Sequence, residues 1–369
     1  MKNPREKLII ITLLFAILFV LFSITIFSIS DISLSAKSAV LYQPQTNDFV
    51  YTKNCDAMLP MASTTKIMTA LVAIENFDLD EKVAVSDEAI GIEGSSLYLK
   101  RGEVLTMRDL LSGLMLRSAN DAAAAIACAV SGDISSFAKK MNEKALELGL
   151  KNTNFTNPHG LDNENHYTTA RELAIISAEA LKNETFKEIV SSKKEIITNS
   201  MGESRLVINH NKLLNLYDGA IGIKTGFTKR SGRCLVGASE KDGLTFITVT
   251  INAPNDWEDH IKLFDYGYSI LENRHIASIG DFSYQIPIVN SKNDFVCVKN
   301  NEEFNMIMYK NASDVKTHVK LARYTTAPIN ENQIIGKVVF TLDNKYIGEI
   351  DLITENSVNK KENKKLFSL

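Results

Sequence analysis

The sequence has only four cysteines in 369 residues, Cys55, Cys128, Cys234 and Cys297, with no CxxC pair and no cysteine–histidine cluster at metal spacing. A disulfide-dense scaffold and a zinc site are thereby excluded, and no metal or other cofactor is expected. Cys128 lies in an alanine-rich run of helical texture and Cys234 in an apolar strand-like run, so buried free thiols are expected. Charge of one sign is lacking too. Basic residues number 41 and acidic residues 44, a formal charge of −3, so no nucleic-acid partner is expected. Trp257 is the single tryptophan and reads as packing or loop surface. With 45% hydrophobic and 23% charged residues, the composition excludes wholesale disorder and leaves room for a large core.

Long apolar runs are scarce as well, with one exception. Lys2, Arg5 and Lys7 precede an uncharged apolar stretch at residues 8–29, long enough to span a bilayer. Basic residues on the short leading side hold that side in the cytoplasm, so everything after Asp31 is expected to be exported. Ser33-Leu34-Ser35-Ala36 offers the small residues a signal peptidase reads, so residues 1–36 are either a cleaved signal peptide or a retained membrane anchor.

From Ala39 to about Asn273 the pattern mixes helices and strands. Residues 38–43 and 49–52 read as an opening hairpin. Residues 64–77, 107–116, 121–130 and 135–148 carry apolar side chains at helical spacing and form a helical middle. Residues 222–228, 233–239 and 244–252 are rich in Ile, Val, Thr and Phe, and Lys241-Asp242-Gly243 marks a hairpin turn between the last two. Beyond a helix end near Asn273 come six short β-rich segments, read as a small all-β domain at 275–354 after a catalytic domain at 37–273. The polar, lysine-rich residues 355–369 read as a solvated tail.

The chemistry concentrates in three places. Ser63-Thr64-Thr65-Lys66 puts a serine and a lysine one helical turn apart, where they share a face. A serine hydroxyl is a weak nucleophile until a neighbour takes its proton, and a lysine can do so if burial and a nearby cation lower its pKa. Lys224 is the candidate cation, and a helix N-terminus adds backbone N–H groups where an oxyanion forms. Ser118-Ala119-Asn120 follows 55 residues after Ser63, between two helices, and Lys224-Thr225-Gly226 a further 106 residues on, at a strand end. Each motif alone is common, but in this order and context they have the form used by penicillin-interacting serine enzymes. No Gly-x-Ser-x-Gly surrounds Ser63, which argues against a hydrolase-type triad. His159 and His166 lie in a loop with no partner at metal spacing and read as structural hydrogen-bonding groups.

On these residues the chain resembles the S11 family of D-alanyl-D-alanine carboxypeptidases, the low-molecular-mass penicillin-binding proteins. The resemblance rests on PMASTTKIMTA at 60–70, LRSANDAA at 116–123, NPHGLD at 157–162, YTTAR at 167–171 and DGAIGIKTGFT at 218–228. It covers about residues 37–355 and implies an α+β fold: a serine β-lactamase/transpeptidase-like domain, with an antiparallel sheet flanked by helices and a helical subdomain, followed by a small all-β domain. It further implies that Ser63 is the acylated nucleophile, Lys66 its base, and Ser118 and Asn120 a proton relay and amide clamp. Lys224, Thr225, Gly226, Phe227 and Thr228 would bind substrate, Lys224 and Thr225 at its carboxylate, and the backbone N–H groups of Ser63 and Phe227 would hold the oxyanion. The implied partners are peptidoglycan stem peptides and β-lactam antibiotics, at an extracytoplasmic location. Two departures stand out: Phe227 replaces a histidine found after KTG in some members, and Asn255-Asp256-Trp257-Glu258 stands where some carry an arginine. A β-lactamase on the same site is the nearest rival, but no segment clearly supplies its water-activating base. A catalytically idle wall-binding protein is disfavoured by intact Ser63, Lys66, Asn120 and Lys224.

Overall fold

The computed structural model describes residues 32–362. The opening segments form the expected hairpin: β1 (Ser38–Gln43) runs antiparallel to β2 (Asp48–Lys53) and also to β9 (Leu244–Ile251). Two short antiparallel pairs follow, β3 (Lys82–Ala84) with β4 (Val104–Thr106) and β5 (Lys194–Thr198) with β6 (Ser204–Ile208). Then β7 (Ala220–Thr228), β8 (Gly232–Lys241) and β9 complete an antiparallel sheet in the order β2-β1-β9-β8-β7, where Asp242-Gly243 turns β8 into β9. This order leaves β1, β8 and β9 inside, where they read as near-continuous buried runs, and places β7 at an edge.

Helices cover both faces. α1 (Lys66–Asn76) is buried from Lys66 through Ala73, α2 (Met107–Leu116) starts from a Thr106–Asp109 capping box, and α3 (Asn120–Ser131) is alanine-rich. The small side chains of Ala122–Ala125 let α3 pack closely against α1, α2 and α4 (Ile134–Glu147). α5 (Ala170–Leu181) joins α1 to one face of the sheet, and α6 (Glu184–Ser191) lies against β7. α8 (Asp256–Ile270) covers β8 and β9, where His260 is buried between Thr248 Oγ1 at 2.6 Å and Thr250 Oγ1 at 3.0 Å; between α6 and α8 come the one-turn α7 (Leu213–Leu216) and the β7–β9 strands.

The chain does not stay helical to Asn273. α8 ends at Ile270, and β10 (Leu271–Ala277) begins at once because it finds a partner in β13 (Phe304–Tyr309). Local propensity gives way there to pairing across more than thirty residues, Leu271 opposite Tyr309. β11 (Ser283–Val289), β12 (Phe295–Asn300), β14 (Lys316–Leu321), β15 (Thr325–Thr326), β16 (Ile334–Leu342) and β17 (Lys345–Thr354) form a six-stranded sheet in the order β14-β16-β17-β12-β11-β15, with β16–β17 its longest pair. Val338, Phe340, Ile350 and Leu352 form one of its cores, with Phe304 stacked on Phe340 at 4.3 Å. The start of the expected solvated tail is also bound: Val358 is buried and exchanges two backbone hydrogen bonds with Ile329, and Lys361 N–H donates to Asn290 O. An apolar side chain and two strand-like bonds outweigh the polar composition of that segment.

All four cysteines are free, Cys55 and Cys234 buried, Cys128 and Cys297 half-buried. The apolar stretch at 8–29 and residues 363–369 lie outside the described residues. Among the described residues no helix is long and apolar enough to cross a membrane, and no cluster of His, Cys, Asp and Glu could hold a metal ion.

Candidate active site

Ser63 does not open the α-helix directly. It sits in a single 3₁₀ turn, Ala62–Thr65, that feeds α1. Two threonines make the turn: Thr64 Oγ1 donates to Met61 O at 2.6 Å and Thr65 Oγ1 to Ala62 O at 2.7 Å. With three residues per turn, positions i and i+3 eclipse, so Ser63 stands directly over Lys66. Their Oγ and Nζ are 2.9 Å apart.

Lys66 is fully buried, and its Nζ donates to Asn120 Oδ1 at 2.7 Å and to the His159 carbonyl at 2.6 Å. Both oxygens can only accept. A neutral amine has two N–H bonds and one lone pair; with both N–H groups taken, the lone pair is left for the Ser63 hydroxyl. Burial, followed by the nearby Lys224 charge, holds the Lys66 pKa well below the usual lysine range, against a smaller upward pull from Asp121.

Asn120 is the first residue of α3 rather than part of the preceding loop. Its Nδ2 donates to Glu93 O at 2.6 Å and its backbone N–H to Ser95 O at 2.7 Å, which fixes the amide with Oδ1 toward Lys66. Next to it, the buried Asp121 carboxylate accepts from Leu97 N–H, Leu99 N–H and Ser96 Oγ, so the strap at 93–99 is tied down on both sides of Tyr98. Ser118 is nearly buried, with φ of 63°, and its residue lines the cleft beside Ser63.

β7 forms the opposite wall. Its period-two alternation places Lys224, Gly226 and Thr228 on one face and Thr225 and Phe227 on the other. Lys224 is 1% exposed, and burial pulls its pKa down to about 7. A Cβ at Gly226 would lie 3.0 Å from Ser63 N and 3.1 Å from Ala62 Cβ, so the missing side chain lets the strand close on the Ser63 turn. Thr225, Gly226 and Phe227 line a cleft of about 930 Å³ that Ser63 and Ser118 share, with Phe227 65% exposed. Thr228 is not among the lining residues: its hydroxyl lies 2.9 Å from both Asp162 Oδ1 and Ser231 Oγ and closes the β7–β8 turn.

The far wall was not foreseen. Trp257, expected as packing or loop surface, lines the cleft with Arg233, whose guanidinium lies 5.7 Å from the indole ring and is held by Asp256 at 2.9 Å. Arg233 stands directly opposite Phe227 in the β7–β8 register, a pairing that counting back from the hairpin would have exposed. Asn209, His210 and Lys212 reach the cleft from the segment before β7, where no local signal marks them.

The family model for D-alanyl-D-alanine carboxypeptidase, peptidase family S11, matches residues 25–255, and that for the penicillin-binding protein 5 C-terminal domain matches residues 271–360. The D-alanyl-D-alanine carboxypeptidase DacF of Bacillus subtilis (strain 168) is 31% identical over 370 residues, covering 96% of this chain and 95% of its own. Penicillin-binding protein 5 of Haemophilus influenzae superposes with a TM-score of 0.64 at 28% identity, covering 89% of this chain and 98% of that one. The D-alanyl-D-alanine carboxypeptidase DacD of Francisella tularensis gives a TM-score of 0.64 at 27% identity, over 89% and 95%.

Proposed function

The chain belongs to the S11 family of D-alanyl-D-alanine carboxypeptidases, serine-type hydrolases, and from that membership we propose that it removes the terminal D-alanine of peptidoglycan stem pentapeptides through an acyl-enzyme on Ser63. The observation that carries this reading is the Lys66 amine, buried, with both N–H bonds on carbonyl oxygens and Ser63 Oγ at 2.9 Å. Lys66 takes the Ser63 proton as Oγ attacks the carbonyl carbon of the penultimate D-alanine. The backbone N–H groups of Ser63 and Phe227 hold the oxyanion. As the C–N bond breaks, the proton passes to the amine of the departing D-alanine; water then hydrolyses the ester and restores Ser63.

Ser118 and Asn120 carry protons and hold the substrate amide, and the edge of β7 offers backbone groups for an extended peptide. Lys224 and Thr225 receive the terminal carboxylate, with Gly226 and Phe227 beside them; Thr228 supports that end through its turn. Penicillins, which resemble the acyl-D-Ala-D-Ala terminus, acylate the same serine. Residues 37–273 are the catalytic domain and 275–354 a β-rich one, and residues 1–36 deliver the chain out of the cytoplasm, as a cleaved signal or a membrane anchor.

A labelled penicillin tests this: mass spectrometry of a digest is expected to find one adduct, on Ser63, and the protein to release D-alanine from a stem pentapeptide. An adduct on Ser118 would overturn the assignment.

The pH profile has a defined sign. Acylation needs Lys66 neutral and Lys224 charged. Activity as kcat/KM is therefore expected to rise from acid pH as Lys66 loses its proton, and to fall through about pH 7 as Lys224 loses its own. A bound carboxylate opposite Lys224 raises its pKa, so the alkaline limb of kcat should lie at higher pH than that of kcat/KM. Coincident limbs would remove Lys224 from carboxylate binding.

A further inference from the structure

Beneath the nucleophile turn three hydrogen bonds run in series. The backbone N–H of Thr156 donates to His166 Nδ1 at 3.0 Å. An amide N–H can only donate, so Nδ1 is the bare nitrogen of a neutral ring and the proton sits on Nε2. Nε2 is 2.7 Å from Thr65 Oγ1 and donates to it. The Thr65 hydroxyl in turn sends its proton to the Ala62 carbonyl at 2.7 Å. His166 is 3% exposed and Thr65 0%, so the series is shielded from bulk solvent.

The last acceptor matters because the Ala62 C=O and the Ser63 N–H belong to one peptide unit. That unit is trans and planar, so the two groups point in opposite directions. Holding the oxygen down toward Thr65 turns the N–H up toward β7, where Gly226 lies against Ser63 N. Ala62 itself has φ of 48°, a conformation a residue with a Cβ adopts only when its surroundings hold it.

We infer that His166 is a positioning residue for the reaction: through Thr65 it fixes the plane of the Ala62–Ser63 peptide and so aims the Ser63 N–H at the oxyanion. This rests on the reading of Ser63 as nucleophile. Burial and the neighbouring Lys66 charge lower the His166 pKa to about 4, which keeps the ring in the neutral form the series requires; the buried His159, likewise neutral, is the other titratable group nearby. The Phe155 ring packs edge-on to the imidazole with centroids 5.8 Å apart and fixes its tilt.

A misaimed oxyanion donor weakens binding of the transition state more than of the substrate, so the loss falls on kcat. In Thr65→Val, which keeps the volume and removes the hydroxyl, and in His166→Leu, kcat for D-alanine release is expected to drop about 10- to 100-fold with KM within about twofold. Thr65→Ser restores the hydroxyl and should return kcat to within about threefold of wild type. Because the two residues act in series, the double variant should be no slower than the slower single one. Nitrogen-15 NMR of the unaltered protein should show His166 as the Nε2–H tautomer. An Nδ1–H tautomer, an unchanged kcat in Thr65→Val, losses that multiply in the double variant, or a loss confined to KM would each overturn the inference. The tautomer measurement decides even if a variant fails to fold. A wild-type protein without a Ser63 penicillin adduct overturns the nucleophile reading instead; a normal adduct with undiminished Thr65→Val turnover overturns only the relay.

Discussion

Lys66→Arg is expected to lose acylation by peptide and penicillin alike, by a factor on the order of 10²–10⁴, or roughly 2.7–5.5 kcal/mol of transition-state stabilisation. Arginine keeps the positive charge and cannot give it up near neutral pH, so the lone pair that faces Ser63 Oγ in the wild-type site has no counterpart. The contrast is Lys224→Arg. In the proposed mechanism Lys224 serves as a cation and not as a base, so its arginine variant retains the charge in altered geometry and should keep about 1–10% of the wild-type rate, a loss of roughly 1.4–2.7 kcal/mol. Second-order acylation rates of the two variants, with Ser63→Ala as the zero reference, make the comparison. Equal rates for the two arginine variants would show that Lys66 is not the base and that the proton leaves through Ser118 toward Lys224.

Gly160→Ala should cripple the enzyme from outside the three motifs. Gly160 has φ of 86°, and a Cβ built on it falls inside the Ala62 carbonyl group and 2.9 Å from Thr65 Oγ1. Its chain neighbour His159 supplies the carbonyl that accepts from Lys66, and Asn157 Oδ1 anchors its own N–H at 2.7 Å. Relief of the clash must therefore move the Ser63 turn, the Lys66 acceptor, or both. Left-handed strain of about 1–2 kcal/mol and overpacking of about 1–3 kcal/mol together predict a destabilisation of roughly 2–5 kcal/mol. The displaced turn should lower the acylation rate at least about 100-fold. Gly102→Ala is the control: its φ of 72° is as restrictive, but no atom lies within 4 Å of the added methyl. It should cost about 1–2 kcal/mol from the backbone alone and leave acylation unchanged. Thermal unfolding and acylation rates report both effects, and a Gly160→Ala protein with wild-type values for each would refute the close approach.

Much of the molecule could be read along the chain because the signals are local. The helices at 107–116 and 120–131, the β8–β9 turn at Asp242-Gly243 and the strand pattern beyond residue 280 follow from the periodicity and turn chemistry of a few neighbouring residues. The same is true of the Ser63–Lys66 pairing, since three residues of one turn bring the two side chains together whatever surrounds them. Other features depend on residues far apart in sequence. Leu271 became a strand because Tyr309 lay opposite, and Val358 was buried because Ile329 was there to pair with it. The Arg233–Trp257 wall needed the β7–β8 register and the start of α8 at once. The proton state of Lys66 is the sharpest case. Composition shows a lysine, and its spacing shows a serine within reach, but a lysine becomes a base only when desolvated. That desolvation comes from α1 closing under α3, β7 and the 157–161 loop, a sum over contacts that no window of sequence contains.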